Sequence, residues 1–417
     1  LSYFGGHREK ELKKILDAVF FEHHTDRISQ AVMSALNHGD IRISVSRLEQ
    51  YAVCAYRYFL QYGLKLSEKR DNAFAAYDIG NLYHEALERF SKKIADSPYS
   101  WQTIPDELTG RMMDEAIAET FEEMKRTDVL DSFRDSFVLK MMQNTLHRTV
   151  WAVMKQVRAG SFEPSGFEVT LAEISSSEAL SYELSDQTRL NLSGTIDRMD
   201  TYETDDRIYV KIIDYKSGNR DIDLLSMFYG LQIQLVFYMG VAVEGLSQSG
   251  GKEVIPAAMM YYHVDDPVID FDGENESEIE SKLLQKLKPH GKIFNSPEVI
   301  EAIDASFAGG EVSSSGGVDM KRKKDGSLYK SSTVVSGEDF ATMLSFVKKK
   351  VRALGEEMSR GQIDVSPYLL GGQKGCTYCP YHGVCGFDPS LMGYDYRRLK
   401  SISQEEILNL MKESADA

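Results

Sequence analysis

Ile208-Tyr-Val-Lys-Ile-Ile-Asp214-Tyr-Lys216 is the stretch on which the reading of this chain turns. It predicts a β-strand, and on a strand Asp214 and Lys216, two residues apart, project from the same face. Upstream, Arg189-Leu-Asn-Leu-Ser-Gly-Thr-Ile-Asp197 alternates and predicts a second strand that ends on a carboxylate. The turn-like Glu203-Thr-Asp-Asp206 separates the two. Carboxylates converging from adjacent strands make a site for a hard divalent cation. A lysine beside them orients a water or offsets charge on a phosphoryl group. Taken alone, an Asp-x-Lys pattern also describes a solvated cross-strand charge pair.

Two helical motifs separate these readings. Ile79-Gly-Asn-Leu-Tyr-His-Glu-Ala-Leu-Glu-Arg-Phe90 reads as a helix, and Gly80, four positions before His84, lets another backbone approach closely. Asp221 to Glu244 reads as one long helix carrying Gln234-Leu-Val-Phe-Tyr238, with Gln234 and Tyr238 on one face. The order G-x-x-x-H, D, D-x-K, Q-x-x-x-Y resembles the RecB- and AddB-type nuclease domains of the PD-(D/E)xK group. That resemblance implies that His84 joins Asp197 and Asp214 as ligands of Mg²⁺ or Mn²⁺, with the carbonyl of Tyr215 as a backbone ligand. It assigns Lys216 to positioning water, and Gln234 and Tyr238 to orienting Lys216 or the DNA backbone. Glu85 and Glu168 are further carboxylates expected near the metal.

The cysteines admit two chemistries. Cys376-Thr-Tyr-Cys379-Pro-Tyr-His-Gly-Val-Cys385 clusters three, and Cys54 lies far upstream in Tyr51-Ala-Val-Cys-Ala-Tyr-Arg-Tyr58. Three cysteines with His382 suit Zn²⁺ and leave Cys54 a buried thiol. Four thiolates suit a [4Fe–4S] cluster. The C-x₂-C-x₅-C triplet with one distant upstream cysteine resembles the iron–sulfur staple of AddB-type nucleases. The resemblance implies that Cys54, Cys376, Cys379 and Cys385 join the two ends of the domain, so that metal binding becomes folding energy. Nothing in the chain suggests a secreted protein, which speaks against disulfides.

With 417 residues, 42% of them hydrophobic, the chain has room for one large elaborated domain or two to three ordinary ones. No run approaches membrane-spanning length, and the first residues do not read as a signal peptide. The cytoplasm is therefore the expected compartment, and it suits reduced thiolates. A net charge of −16 opposes binding to a polyanion at long range. A carboxylate-rich metal site explains part of that charge, and a partner subunit would supply the basic track. Local basic runs are Lys321-Arg-Lys-Lys324 and Lys348-Lys-Lys-Val-Arg352. Lys321, Arg322, Lys323 and Lys324 are candidate DNA contacts in a Gly/Ser-rich stretch, Gly309 to Ser332, that reads as a mobile hairpin or loop.

The remaining chain reads as a helical frame around a mixed core. Helix is expected from Glu9 to Leu36, after the cap at Ser44 towards Cys54, through Asp106 to Gly160 with Phe133, Phe137 and Leu146 at helical spacing, and from Ser336 to Arg360. Strands are expected at Gly166 to Ala172 and Val254 to Tyr262. The Gly245 to Lys252 segment departs from a phosphate loop in spacing, and His23-His24 reads as a surface pair.

The expected fold is α/β: a PD-(D/E)xK restriction-endonuclease-like core, a mixed sheet flanked by helices, inside a helical frame and closed by a four-cysteine metal cluster. The segments are a helical lead-in (1–42), the nuclease domain with its staple (43–390) and a C-terminal helical tail (391–417). The resemblance implies an exonuclease on single-stranded DNA ends, within a heterodimeric helicase–nuclease that processes double-strand breaks. The chain begins at Leu1 instead of Met, as a fragment or a trimmed protein would. It lacks the helicase-like region that AddB-type subunits carry towards the N-terminus, so the resemblance implies an excised C-terminal nuclease domain of a longer subunit. The alternatives are a stand-alone Cas4-like exonuclease and a non-catalytic module that binds DNA ends or a partner.

Overall fold

The computed structural model describes residues 8–23, 27–37, 39–67, 76–125, 133–218, 220–270, 273, 275–329 and 333–416. Strands β1 (Asp40–Ser44), β2 (Glu163–Thr170), β3 (Ser181–Glu183) and β4 (Arg189–Ser193) come first. They are followed by β5 (Thr195–Glu203), β6 (Arg207–Lys216), β7 (Glu253–His263), β8 (His290–Phe294) and β9 (Val334–Val335). Last are β10 (Tyr368–Leu370), β11 (Gln373–Lys374) and β12 (Arg397–Arg398). The helices that matter here are α1 (Val45–Val53), α2 (Ala76–Ala95), α3 (Asp106–Lys125), α4 (Phe133–Arg158), α5 (Gln234–Ser249), α6 (Gly337–Ser359) and α7 (Gln404–Asp416).

A six-stranded mixed sheet, β2-β5-β6-β7-β8-β9, forms the centre. β5 and β6 are an antiparallel hairpin, whereas β6 and β7 run parallel and need the crossover that α5 supplies. β7 is covered on both faces, and Ala257 to Tyr262 are all within 1% of complete burial. That explains its near-continuous apolar sequence. One core lies between the sheet and α1, α5, α6 and α7, with Leu48, Met239, Val347 and Met411 inside it. The other lies beneath α2, α3 and α4, around Phe90, Met113, Leu146 and Tyr262. Within this second core Arg198, Asp200 and Lys211 form a buried charged triad. Asp200 accepts from Arg198 Nε at 2.6 Å and lies 2.8 Å from Lys211 Nζ. Against burial, Arg198 and Lys211 hold the Asp200 carboxyl below its ordinary range.

A small sheet, β1-β4-β3, pairs the entry strand in parallel with Arg189–Ser193 (Ile43 against Leu192) and launches α1. Ser44 caps that helix as expected, accepting from Arg47 N–H. A third sheet, β11-β10-β12, frames the cysteine segment.

Several expectations require correction. Arg189 to Asp197 is not one strand. β4 and β5 belong to different sheets and meet at Gly194, so Asp197 stands near the start of its strand. Gly194 must lack a side chain because a Cβ there would collide with the Tyr238 hydroxyl. Asp221 to Glu244 is not one helix either. A short helix, Leu224–Phe228, ends at Gly230 with φ +80°, and the chain restarts as α5 at Gln234. The Glu9 to Leu36 helix is two, Glu9–Val19 and Gln30–Asn37.

Asp106 to Gly160 likewise divides into α3 and α4, with 126–132 outside the described residues. Phe137 is 70% exposed despite its helical spacing, and the side chain of Phe133 lies outside the described residues. Within Gly309 to Ser332, Ser315 and Met320 are fully buried and Ser315 Oγ donates to Asp304, whereas 323–327 are exposed; antiparallel bridges Ser314↔Lys321 and Arg322↔Leu328 give the segment a hairpin form. His23 stacks on Tyr394 at 4.2 Å; His24 lies outside the described residues. Among the described residues, no helix is long and apolar enough to cross a membrane.

Candidate active site

The β5–β6 hairpin is paired from Glu203↔Ile208 to Arg198↔Ile213, and one step beyond that last rung lie Asp197 and Asp214. On the other side of β5, the rungs Phe167↔Arg198 and Val169↔Ile196 set Glu168 opposite Asp197. Glu168 has φ +47°, a conformation that a glutamate adopts at a cost and that occurs at functional sites. Helix α2 brings His84 over the same sheet end, and a Cβ on Gly80 would come within 3.5 Å of Ser217. That is ordinary contact with a side-chain hydroxyl, so the close backbone approach expected at Gly80 is not found among the described residues.

Four groups meet there. His84 Nδ1 lies 3.4 Å from both Glu168 Oε1 and Asp197 Oδ2, and His84 Nε2 lies 3.0 Å from the Tyr215 carbonyl oxygen. Ligand atoms of His84, Glu168 and Asp197 all fall within 4.8 Å of one another. The Tyr215 N–H donates to Asp197 Oδ2 at 2.7 Å and orients that carboxylate. Asp214, 2% exposed, is ion-paired with Lys216. It also accepts from Gln234 Nε2 at 3.1 Å. The same amide lies 3.4 Å from the Tyr238 hydroxyl, so the Q-x-x-x-Y face packs onto the Asp214 carboxylate.

The electrostatics suit a cation. Burial and the neighbouring Asp214 push the Asp197 carboxyl up to about 8, against His84 and Lys216. For His84, burial acts downward, but the Glu168 hydrogen bond and the charges of Asp197, Glu168 and Asp214 carry it up to about 9. A buried carboxyl that retains its proton beside another carboxylate is what a bound divalent ion relieves.

Residues 42–386 match the PD-(D/E)XK nuclease superfamily. The chain belongs to that superfamily. It is similar to a Lachnoclostridium phytofermentans protein named as a subunit of an ATP-dependent helicase/deoxyribonuclease, 35% identical over 96% of this chain and 34% of that protein. Proteins of the same name from Thermoanaerobacter sp. (30%, covering 98% and 35%) and Clostridium tetani (33%, covering 93% and 33%) are also similar. The chain spans about a third of the length of these relatives.

Away from His84, Glu168 and Asp197, this PD-(D/E)XK chain gathers its thiols. Cys54 is the residue at which α1 ends, and it is buried. Burial pushes its thiol up, against the backbone amides of Arg57, Tyr56 and Ser366. Burial, with Cys54, Cys379 and Cys385 nearby, pushes Cys376 up to about 12. The Phe387 N–H donates to Cys385 Sγ at 3.4 Å. His382 Nε2 is engaged at 2.8 Å with the Cys376 carbonyl.

Other candidates lie elsewhere. Glu85 pairs with Arg89 at 2.6 Å and is not part of the group that His84, Glu168 and Asp197 form. Arg322 lies over the Phe307 ring and, with Asn295 and Val334, lines a cavity of about 800 Å³. Those contacts lie by the Phe294 end of β8, whereas Asp214 lies at the other end, in register with Tyr261 and His290. Sequence reasoning missed two residues beside the site altogether, the buried Glu49 and the partly exposed Arg220. Their partners are distant in sequence, and no local motif announces them.

Proposed function

We propose that the chain is the nuclease module of a helicase–nuclease subunit, hydrolysing phosphodiester bonds of single-stranded DNA ends with Mg²⁺ or Mn²⁺. The observation that carries this reading is the meeting of His84, Glu168 and Asp197 within 4.8 Å, beside the Asp214–Lys216 ion pair. The donor set of imidazole, carboxylates and a backbone carbonyl fits a hard cation. His84, Glu168, Asp197, Asp214 and the Tyr215 carbonyl would hold it. Such an ion, when bound, supplies Lewis acidity that activates water and stabilises phosphoryl charge.

The chain's own residues do the rest. The Tyr215 N–H fixes Asp197, and Gln234, with the Tyr238 hydroxyl beside its amide, fixes Asp214. Lys216, one quarter exposed beside Asp214, is placed to orient the attacking water or to meet a phosphoryl oxygen. The relatives' name supports the subunit assignment and a partner with helicase activity. A basic surface on that partner would complement this acidic chain, and a cytoplasmic setting would keep its thiols reduced.

We assign a [4Fe–4S] cluster with a structural role to Cys54, Cys376, Cys379 and Cys385. Cys54 lies near Cys376 together with Cys379 and Cys385, a fourth thiol that a zinc site completed by His382 would not use. The decisive assay is digestion of an end-labelled single-stranded oligonucleotide with and without Mg²⁺. Metal-dependent shortening is expected, and intact DNA with unaltered binding would point to a non-catalytic module.

A further inference from the structure

Glu49 belongs to none of the four motifs, yet it is 4% exposed and faces three donors. Its Oε1 accepts from the backbone N–H groups of Ile233 at 2.7 Å and Gln234 at 2.8 Å. Its Oε2 accepts from Arg220 Nη2 at 3.3 Å. Burial pushes the carboxyl up from its usual range, countered by Arg220 and by the two amides. The two amides are the orphan donors that any helix leaves at its start. Helix α5 has no side-chain cap of its own at Ile233, so a carboxylate 184 residues upstream caps it. A negative charge there also meets the positive end of the helix dipole.

From this cap two branches reach the reacting groups. Gln234, held by its backbone to Glu49, holds Asp214 through its side chain. Arg220, held by its guanidinium, lies over the Tyr261 ring at 5.5 Å, and Lys216 lies over the same ring at 5.8 Å. We infer that Glu49 is a positioning residue for phosphodiester hydrolysis: it fixes the start of α5 so that Gln234 sets the Asp214 carboxylate, and it fixes Arg220 beside Tyr261 and Lys216. This rests on the nuclease reading above. Helix α1, which delivers Glu49, ends at Cys54, so one helix links the thiol group to the start of α5.

The test is a double-mutant cycle on the full chain with Glu49→Gln, Gln234→Ala and the pair, read as kcat and KM on a single-stranded oligonucleotide with Mg²⁺. Glu49→Gln keeps one acceptor but turns an amide towards Arg220, and it is expected to lower kcat about tenfold, with KM within about twofold. The pair is expected to be slower than Gln234→Ala alone, but by clearly less than the factor that Glu49→Gln shows by itself, because the Gln234 branch is already cut and only the Arg220 branch remains to be lost. Glu49→Asp, which keeps the charge, restores part of the rate, and it replaces Glu49→Gln in the cycle should that variant not fold. Multiplied effects in the pair, or a Glu49→Gln rate equal to wild type, overturn the inference.

A wild-type chain that leaves DNA intact at every Mg²⁺ and Mn²⁺ concentration sinks the nuclease reading instead. Amide hydrogen exchange then still judges the positioning. The amides of Ile233 and Gln234 are expected to exchange about tenfold faster in Glu49→Gln while those of Phe346 to Val351 stay unchanged. Equal exchange in the two proteins overturns it.

Discussion

Gln234 Nε2 donates to Asp214 Oδ1 at 3.1 Å, on the side of the carboxylate away from its Lys216 partner. Asp214 is thus clamped between a neutral donor and a cation, and its orientation does not depend on solvent. Gln234→Ala removes the neutral half of the clamp. Losing a hydrogen bond to a charged group costs about 1.5–3 kcal/mol, so kcat is expected to fall roughly 10- to 100-fold. Steady-state cleavage kinetics check this, and an unchanged kcat refutes the clamp.

The triad in the second core bears on stability instead of catalysis. Asp200 is fully buried between Arg198 and Lys211. Asp200→Asn leaves two cations facing each other without a counter-charge, and breaking a buried pair costs about 3–5 kcal/mol. Urea denaturation should register that loss. Because the folded Asp200 pKa is held below the ordinary value of 3.8, its contribution is present above that value and disappears as pH falls through the lower folded pKa. A loss of less than about 1 kcal/mol would place the triad with ordinary surface pairs.

Metal binding should release protons. With the His84 pKa raised to about 9 and that of Asp197 to about 8, both groups hold protons near neutrality before a cation arrives. Ligation needs a neutral imidazole and an ionised carboxylate, so affinity should climb as pH rises from about 7 towards 9. Mn²⁺ titration calorimetry in two buffers of different ionisation enthalpy measures the released protons directly. Equal apparent heats in both buffers, with a flat affinity, would exclude the proposed ligand set.

The sequence disclosed the catalytic strand because its geometry is local. A period of two places Asp214 and Lys216 together, and a spacing of four does the same for Gln234 and Tyr238. The β4–β5 boundary was hidden, because Leu190, Leu192 and Ile196 continue apolar character across it. What breaks the strand is Tyr238, whose hydroxyl fills the place of a Gly194 side chain from another element. Similarly, the apolar pattern from Leu224 to Tyr238 conceals the break at Gly230. Glu49 was invisible for the same physical reason: its meaning lies in amides 184 and 185 residues away.

The thiol group offers a clean discrimination. An iron–sulfur cluster on Cys54, Cys376, Cys379 and Cys385 predicts about four irons per chain in anaerobically purified protein. Cys54→Ala should then lose the metal and lower the melting temperature of the whole domain, since Cys54 ties α1 to the C-terminal segment. His382→Ala should leave both intact. The reverse pattern, with Cys54 dispensable and His382 required, assigns zinc.

Cleavage by Asp214→Ala is the most direct measurement of the central claim. Wild-type and variant chains are compared on an end-labelled single-stranded oligonucleotide across a Mg²⁺ titration, with thermal melts as the control for folding. The variant should melt close to wild type, because a site carboxylate seldom supports the fold. It should leave the oligonucleotide uncut at every Mg²⁺ concentration while wild type shortens it. Digestion by folded Asp214→Ala at the wild-type rate would contradict a phosphodiesterase centre at this end of the sheet.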